Sequence, residues 1–239
     1  MTGPLPTGEA KTARVRSMFD TIAPRYDLLN RLMTFGLDQR WRRATVAALG
    51  LAPGSLVLDL ACGTGDLSRI ACQHGYRVVG TDLSAGMLRN RREPPAAVQC
   101  DAAELGIGTG TCDGIVSGYA LRNFTDLRAC LAEAARVLRP GGRIALLEVA
   151  SPSNRLWGAG FHLWFDRAVP MLGRLLSDAD AYRYLPASTA YLPDEAGLRH
   201  LLREAGFATV GRRLLYGGLS QLLTATRTGM PPQVPTGEP

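Results

Sequence analysis

The chain has 239 residues, 46% hydrophobic and 20% charged, which suits one α/β domain and excludes wholesale disorder. Its formal net charge is +6, but Lys11 is the only lysine and the arginines are scattered, so no basic block marks a nucleic-acid partner. No stretch reaches the roughly 18 unbroken apolar residues of a membrane span, no apolar core of a secretory leader follows Met1, and the 5 cysteines lack CxxC or zinc-finger spacing, as expected of reduced core thiols in a cytoplasmic protein.

In chain order, residues 1–13 read as a mobile leader, and a single domain is expected over 14–228. Its first part, 14–50, is helical. Val15, Met18, Phe19 and Ile22 give one apolar face, Pro24 interrupts, a second helix carries Tyr26 to Met33, and Gly36 stops it. Asp38 is expected to cap a third helix running through Trp41 to Leu49. Short apolar runs then alternate with helical segments. The runs are Ser55–Leu60, Tyr76–Thr81, Ala97–Cys100, Gly114–Ser117 and Arg143–Val149. The helices fall near Asp66–Gln73, Ala85–Arg92 and Asp126–Leu138. Pro140-Gly141-Gly142 reads as a sharp turn. A helical insertion is expected over 153–192, with an apolar, aromatic stretch at Leu156–Leu176. A helix near Glu195–Ala205 and strands at Phe207–Leu215 and Leu219–Thr224, joined at Gly217-Gly218, complete the domain before a mobile tail at 229–239. The alternation predicts an α/β, Rossmann-like fold: a mostly parallel seven-stranded sheet with helices on both faces.

The first strand runs into Asp59-Leu60-Ala61-Cys62-Gly63-Thr64-Gly65-Asp66. A glycine turn between strand and helix lets a ligand approach the backbone, with Gly63, Thr64 and Gly65 as its contacts. Ser68 stands where a dinucleotide fingerprint has its third glycine. Asp66 would repel a pyrophosphate at the helix N-terminus. Asp66 and Asp59 suit a cation instead, such as the ammonium and sulfonium of S-adenosylmethionine (SAM). Asp82, about 20 residues on, is placed for ribose hydroxyls. Met87 is placed to pack on adenine, Asp101 and Ala102 to meet its edge, and Ser117 and Gly118 to close the fourth strand tip. All lie on one rim of the sheet, where open α/β sheets bind ligands.

The segment Met18–Asp38 resembles the N-terminal signature of the ubiquinone/menaquinone biosynthesis C-methyltransferases, as do Trp41-Arg42-Arg43, Asp59–Asp66, Asp82-Leu83-Ser84 with Gly86-Met87-Leu88, Leu121-Arg122-Asn123-Phe124, Arg136–Gly142 and Ala181–Leu185. The resemblance implies a class I SAM-dependent methyltransferase acting on a ring carbon of a polyprenyl benzoquinol or naphthoquinol. It carries cofactor contacts onto Thr64, Asp82, Asp101 and Ala102, and a fourth-strand contact onto Gly118, where many members have serine. Two stretches depart from the family's pattern: Gly217–Leu223, where the family has a more β-branched run followed by histidine, and Val149–Pro152. Both bear on the acceptor more than on the chemistry.

Methylating a ring carbon needs the quinol hydroxyl proton removed and the ring proton lost later. The resemblance points to Arg122 of the Leu-Arg-Asn motif, whose permanent charge suits it to stabilise a phenolate rather than to take a proton; further candidates are Tyr26 with Asp27 after the Pro24 break, and His162 in the insertion. His74 and His200 read as surface residues. Arg122 also reads as a structural ion pair, and Tyr26 as helix packing. The implied partner is a lipophilic or aromatic small-molecule acceptor, met by a cytoplasmic enzyme at the inner face of a membrane. Trp157, Phe161, Trp164 and Phe165 in the insertion suit an interface or an isoprenoid groove. They suit an ordinary lid or homodimer helix as well. A methyltransferase for a soluble phenol or polyketide, and a SAM-binding regulator without turnover, remain the rival readings.

Overall fold

Leu56–Leu60 forms β1, and its apolar run is buried on both faces, as a central parallel strand requires. In the computed structural model, which describes residues 7–91, 95–150, 184 and 187–229, six further strands join it: β2 (Arg77–Asp82), β3 (Ala97–Gln99), β4 (Cys112–Gly118), β5 (Leu138–Val149), β6 (Phe207–Leu215) and β7 (Ser220–Arg227). The sheet order is β3-β2-β1-β4-β5-β7-β6. The first five strands run parallel, and β7 is antiparallel to both β5 and β6. Chain direction across the sheet reverses between β1 and β4. The crevice above their carboxyl ends is therefore the place for a ligand.

Alternate side chains of each strand serve opposite layers. Leu58, Ile115, Ile144, Leu146 and Leu223 face α6 (Leu127–Val137) and α7 (Glu195–Glu204), meeting Leu131, Ala134, Leu198 and Leu202. Val57, Val116, Ala145, Leu147 and Leu222 face α3 (Leu37–Ala48) and α4 (Asp66–Gln73), meeting Trp41, Val46, Leu67 and Ile70. At about 1.5–3 kcal/mol per buried large apolar side chain, these two layers dominate the stability. A third, smaller cluster joins α1 (Gly8–Ile22) and α2 (Tyr26–Met33) to Met87 on α5 (Ala85–Arg89), through Ile22, Ala23 and Leu29.

Several boundaries differ from expectation. The first helix begins at Gly8, inside the expected leader, because Lys11 is buried and its Nζ donates to the Phe124 carbonyl at 2.6 Å. Asp38 does not cap α3. Gly36, at φ +76°, holds that position without a side-chain bond, and Asp38 is buried as the second residue of the first turn. Pro140-Gly141-Gly142 does turn, but within β5. Leu138 pairs with Cys112 and Arg143 with Gly114, so residues 139–142 bulge opposite Asp113. All 5 cysteines are free, and Cys72 is exposed rather than in the core. The aromatic stretch Leu156–Leu176, with His162, and residues 230–239 of the expected tail lie outside the described residues.

Candidate active site

The chain leaves β1 through a tight turn in which Ala61 (φ +56°), Gly63 (φ +55°) and Gly65 (φ +90°) are all left-handed. Glycine adopts this freely, whereas Ala61 carries strain of about 1–2 kcal/mol. A Cβ on Gly63 would meet nothing within 4 Å, so the turn opens onto empty space. Asp82 closes the same space from β2. Its Oδ2 accepts the Gly63 N–H and its Oδ1 the Ser84 N–H, each at 2.8 Å. Burial pushes its pKa up, against the pull of these two donors.

A cleft of about 760 Å³ follows, lined by Gly63, Asp82, Met87, Asp101, Ala102 and Gly118 among the expected cofactor residues. Asp59, Thr64, Gly65 and Ser117 do not line it. Asp59 is fully buried below the turn, with Oδ2 taking the Ser68 hydroxyl at 2.5 Å and Oδ1 unpartnered, and burial raises its pKa to about 6. Thr64 donates its hydroxyl to Asp27 at 2.5 Å. The Ser117 hydroxyl ties β4 to the Leu60 carbonyl at 2.7 Å. On Gly118 a Cβ would fall 2.9 Å from Leu67, so this position meets the cleft through its backbone.

The cation expected for Asp66 is supplied by the protein. Its Oδ1 takes Arg69 at 2.6 Å, Gln39 donates to Oδ2 at 3.0 Å, and Arg42 lies 3.7 Å away. Burial alone would raise its pKa, but Arg42 and Arg69 hold it below the ordinary aspartate value. Asp66 therefore belongs to a buried ion cluster, and the discrimination against phosphate drawn from it does not act in the cleft.

The roof of the cleft comes from α1, a helix with no cofactor motif in its sequence. Thr12, Val15, Arg16 and Phe19 of α1 also line the cleft. The helix is strapped down on both sides. Lys11 bonds the Phe124 carbonyl and sits 3.8 Å from the Tyr191 ring, and Thr12 meets Thr125 at 2.6 Å. Asp20 Oδ1 accepts the Ser84 hydroxyl at 2.6 Å and the Gly86 N–H at 2.7 Å. The apolar face at Val15 and Phe19 was visible in the sequence, but its partner was not.

Beside the cleft lies a second cavity of about 1000 Å³, mostly apolar, reaching from Ile22, Leu29 and Met33 to Trp41, Val149 and Leu219. Phe19, Tyr26 and Tyr119 line both spaces. Tyr26 thus stands between them, whereas its neighbour Asp27 is turned to Thr64. Arg122 lines the second cavity only. It is buried, pairs with Glu148, and donates Nε to the Ser188 hydroxyl at 3.1 Å. It is therefore an ion pair and a cavity wall together. His74 bonds the Ile70 carbonyl at the far end of α4, and exposed His200 pairs with Glu204. Among the described residues no group of side chains could hold a metal ion.

The strand order, the left-handed turn at the switch point and the braced carboxylate at the next strand tip define a Rossmann-like class I methyltransferase fold. A methyltransferase of Haloferax volcanii, solved with the Trm112 methyltransferase activator, shares it with a TM-score of 0.63 at 18% identity, covering 88% of this chain and 97% of that one. The model of the ubiE/COQ5 methyltransferase family matches residues 7–227, and the chain belongs to that family. It is 40% identical over 222 residues to the ubiquinone/menaquinone biosynthesis C-methyltransferase UbiE of Syntrophotalea carbinolica, covering 89% of this chain and 94% of the relative. With the demethylmenaquinone methyltransferase of Mycolicibacterium paratuberculosis it shares 42% over 217 residues, with the same coverage of both.

Proposed function

We propose that this methyltransferase uses SAM to methylate a ring carbon of a demethylmenaquinol or related polyprenyl quinol. The observation that carries the reading is the pair of adjoining spaces, one set on the strand tips with Asp82 and Asp101 in its wall, the other large and apolar, meeting at Phe19, Tyr26 and Tyr119. SAM fits the first by chemistry. Asp82 keeps acceptor capacity for ribose hydroxyls, Asp101 and Ala102 border the adenine end, buried Met87 backs it, and Gly63 leaves room for the methionyl part. When bound, SAM supplies a methyl group on a sulfonium whose charge is lost on transfer, which favours a dry, oriented pocket. Strapped α1 excludes water from that side. Arg122 faces the acceptor and stabilises the quinol oxygen as its proton leaves, with Glu148 fixing the guanidinium. Tyr26 orients the ring at the junction.

The acceptor is lipophilic on this reading, and the enzyme meets it at a membrane surface. No helix among the described residues is long and apolar enough to cross one. Leu28 (51% exposed), Leu32 (41%) and Phe35 (74%) form an outward stripe on and just after α2, and Phe35 also lines the second cavity. Such a stripe suits contact with a lipid interface at the cavity's opening. The test is incubation with isotope-labelled SAM and either quinols extracted from membranes or soluble phenols, with mass spectrometry of the products. Label on a ring carbon of the quinol supports the reading. Label on soluble phenols alone overturns it.

A further inference from the structure

The second cavity is mostly apolar, and Tyr119 brings a phenolic hydroxyl to its wall where it meets the cofactor cleft. Tyr119 follows β4 with φ +62°, a left-handed conformation that a bulky residue adopts only under constraint. Its N–H donates to the Leu147 carbonyl at 2.7 Å, which fixes the backbone against β5. Its hydroxyl meets the Ser220 hydroxyl at 3.2 Å. Ser220 lines the second cavity and not the first, so the polar end of the tyrosine lies on the acceptor side. The Arg42 and Arg122 guanidinium carbons stand 5.6 and 6.0 Å from its ring centroid. Those cations draw electron density from the ring and make its O–H a better donor.

From this geometry we infer that Tyr119 is a specificity-determining residue that donates a hydrogen bond to an oxygen substituent on the acceptor ring, with Ser220 orienting its hydroxyl. The inference rests on the second cavity being the acceptor site. Ser220 is almost fully buried, so its hydroxyl has few other partners and serves best as donor to Tyr119 Oη. The tyrosine proton is then free to point into the cavity. Burial keeps the phenol protonated far above neutral pH, so it stays a donor across the working range. In a largely apolar cavity each directed donor constrains orientation: with Arg122 on one oxygen, an acceptor bound the wrong way round leaves the Tyr119 donor unpaired. The recognised class is an aromatic ring bearing at least one oxygen beside an apolar tail.

The experiment compares wild type, Tyr119→Phe, Ser220→Ala and the double variant, with a short-tailed naphthoquinol as acceptor and SAM affinity measured separately. Tyr119→Phe keeps the ring and its packing. It should raise KM for the quinol about three- to tenfold, the worth of one neutral hydrogen bond, with SAM affinity unchanged and only a small fall in melting temperature from the Ser220 hydroxyl left without its partner. Ser220→Ala should raise KM less, and the double variant should be no worse than Tyr119→Phe, because both act through one bond. Unchanged KM in Tyr119→Phe, or a fall in melting temperature with KM unmoved, overturns the inference and leaves the methylation reading standing. If the wild-type protein methylates no quinol, the functional reading fails and the inference fails with it.

Discussion

Replacing Gly86 by alanine separates the roof of the cleft from its floor. Gly86 lies in α5 with an ordinary helical backbone, so alanine should favour that helix by about 1 kcal/mol. The new methyl, however, would stand 2.7 Å from the Asp20 Cα, 2.7 Å from its Oδ1 and 3.0 Å from its carbonyl oxygen. The first and last of these are backbone, so rotating a side chain gives no relief. Overpacking of this kind costs about 1–3 kcal/mol, and moving α1 away also loosens the bonds from Ser84 and Gly86 to Asp20. Subtracting the gain in α5 leaves about 0–2 kcal/mol, and with the weakened bonds to Asp20 added, α1 should be destabilised against the domain by about 1–2 kcal/mol. Since Thr12, Val15, Arg16 and Phe19 wall the cleft, SAM affinity should fall about five- to thirtyfold. The melting temperature of the sheet core should hardly move, because both main clusters lie elsewhere. Calorimetry reads the affinity, and amide exchange over Gly8–Ile22 reads the lid. Wild-type affinity together with wild-type exchange in α1 would refute the view that this helix completes the site.

Further tests bear on the floor and the acceptor side. Asp82→Ala should weaken SAM binding by one to two decades, or about 1.5–3 kcal/mol for a lost charge-assisted contact, measured by calorimetry. Arg122→Ala strands the Glu148 carboxylate and should lower stability by about 3–5 kcal/mol in denaturant titration. Arg122→Met with Glu148→Gln should recover much of that stability without restoring turnover, and recovered turnover would reduce Arg122 to an ion pair. The Asp59 carboxyl is raised to about 6 in the folded protein, so the fold holds this proton more tightly than the unfolded chain does. Its contribution is therefore most favourable below the ordinary aspartate value near ~4, and it declines as pH rises through about 6. Asp59→Asn should flatten the stability profile across that window in denaturant melts taken at several pH values.

The strands were readable wherever a parallel sheet demands a continuous apolar run. Leu56–Leu60 and Phe207–Leu215 stand where their hydrophobicity put them, and Asp66–Gln73 begins and ends with its pattern. The rim positions followed from topology alone, which is why Asp82, Asp101 and Gly118 meet in one cleft. What failed depends on partners distant in sequence. Residues 8–13 look like polar leader until Lys11 is seen to reach the carbonyl of Phe124. A carboxylate at a helix start looks available to a cationic ligand, yet Arg42, Arg69 and Gln39 already surround Asp66. Capping fails for Asp38 for a local reason instead: its oxygens take the Thr34 hydroxyl and the neighbouring Gln39 amide at 3.0 Å rather than a backbone N–H. Tyr119 gave no signal because its position depends on a left-handed backbone and on Ser220, a hundred residues away in the chain.

The single lysine of the chain sits in the helix that roofs the cleft, with its amine buried and its pKa lowered, chiefly by desolvation. An amine-reactive ester acylates only a neutral, solvent-reachable nitrogen. Under α1 the nitrogen is held against the Phe124 carbonyl and the Tyr191 ring and is out of reach. Once the helix lifts, it becomes the one side-chain amine available anywhere in the polypeptide. The acylation rate of this residue therefore counts helix openings directly, in unaltered protein and with no engineered label, and a ligand that holds the roof closed must slow it.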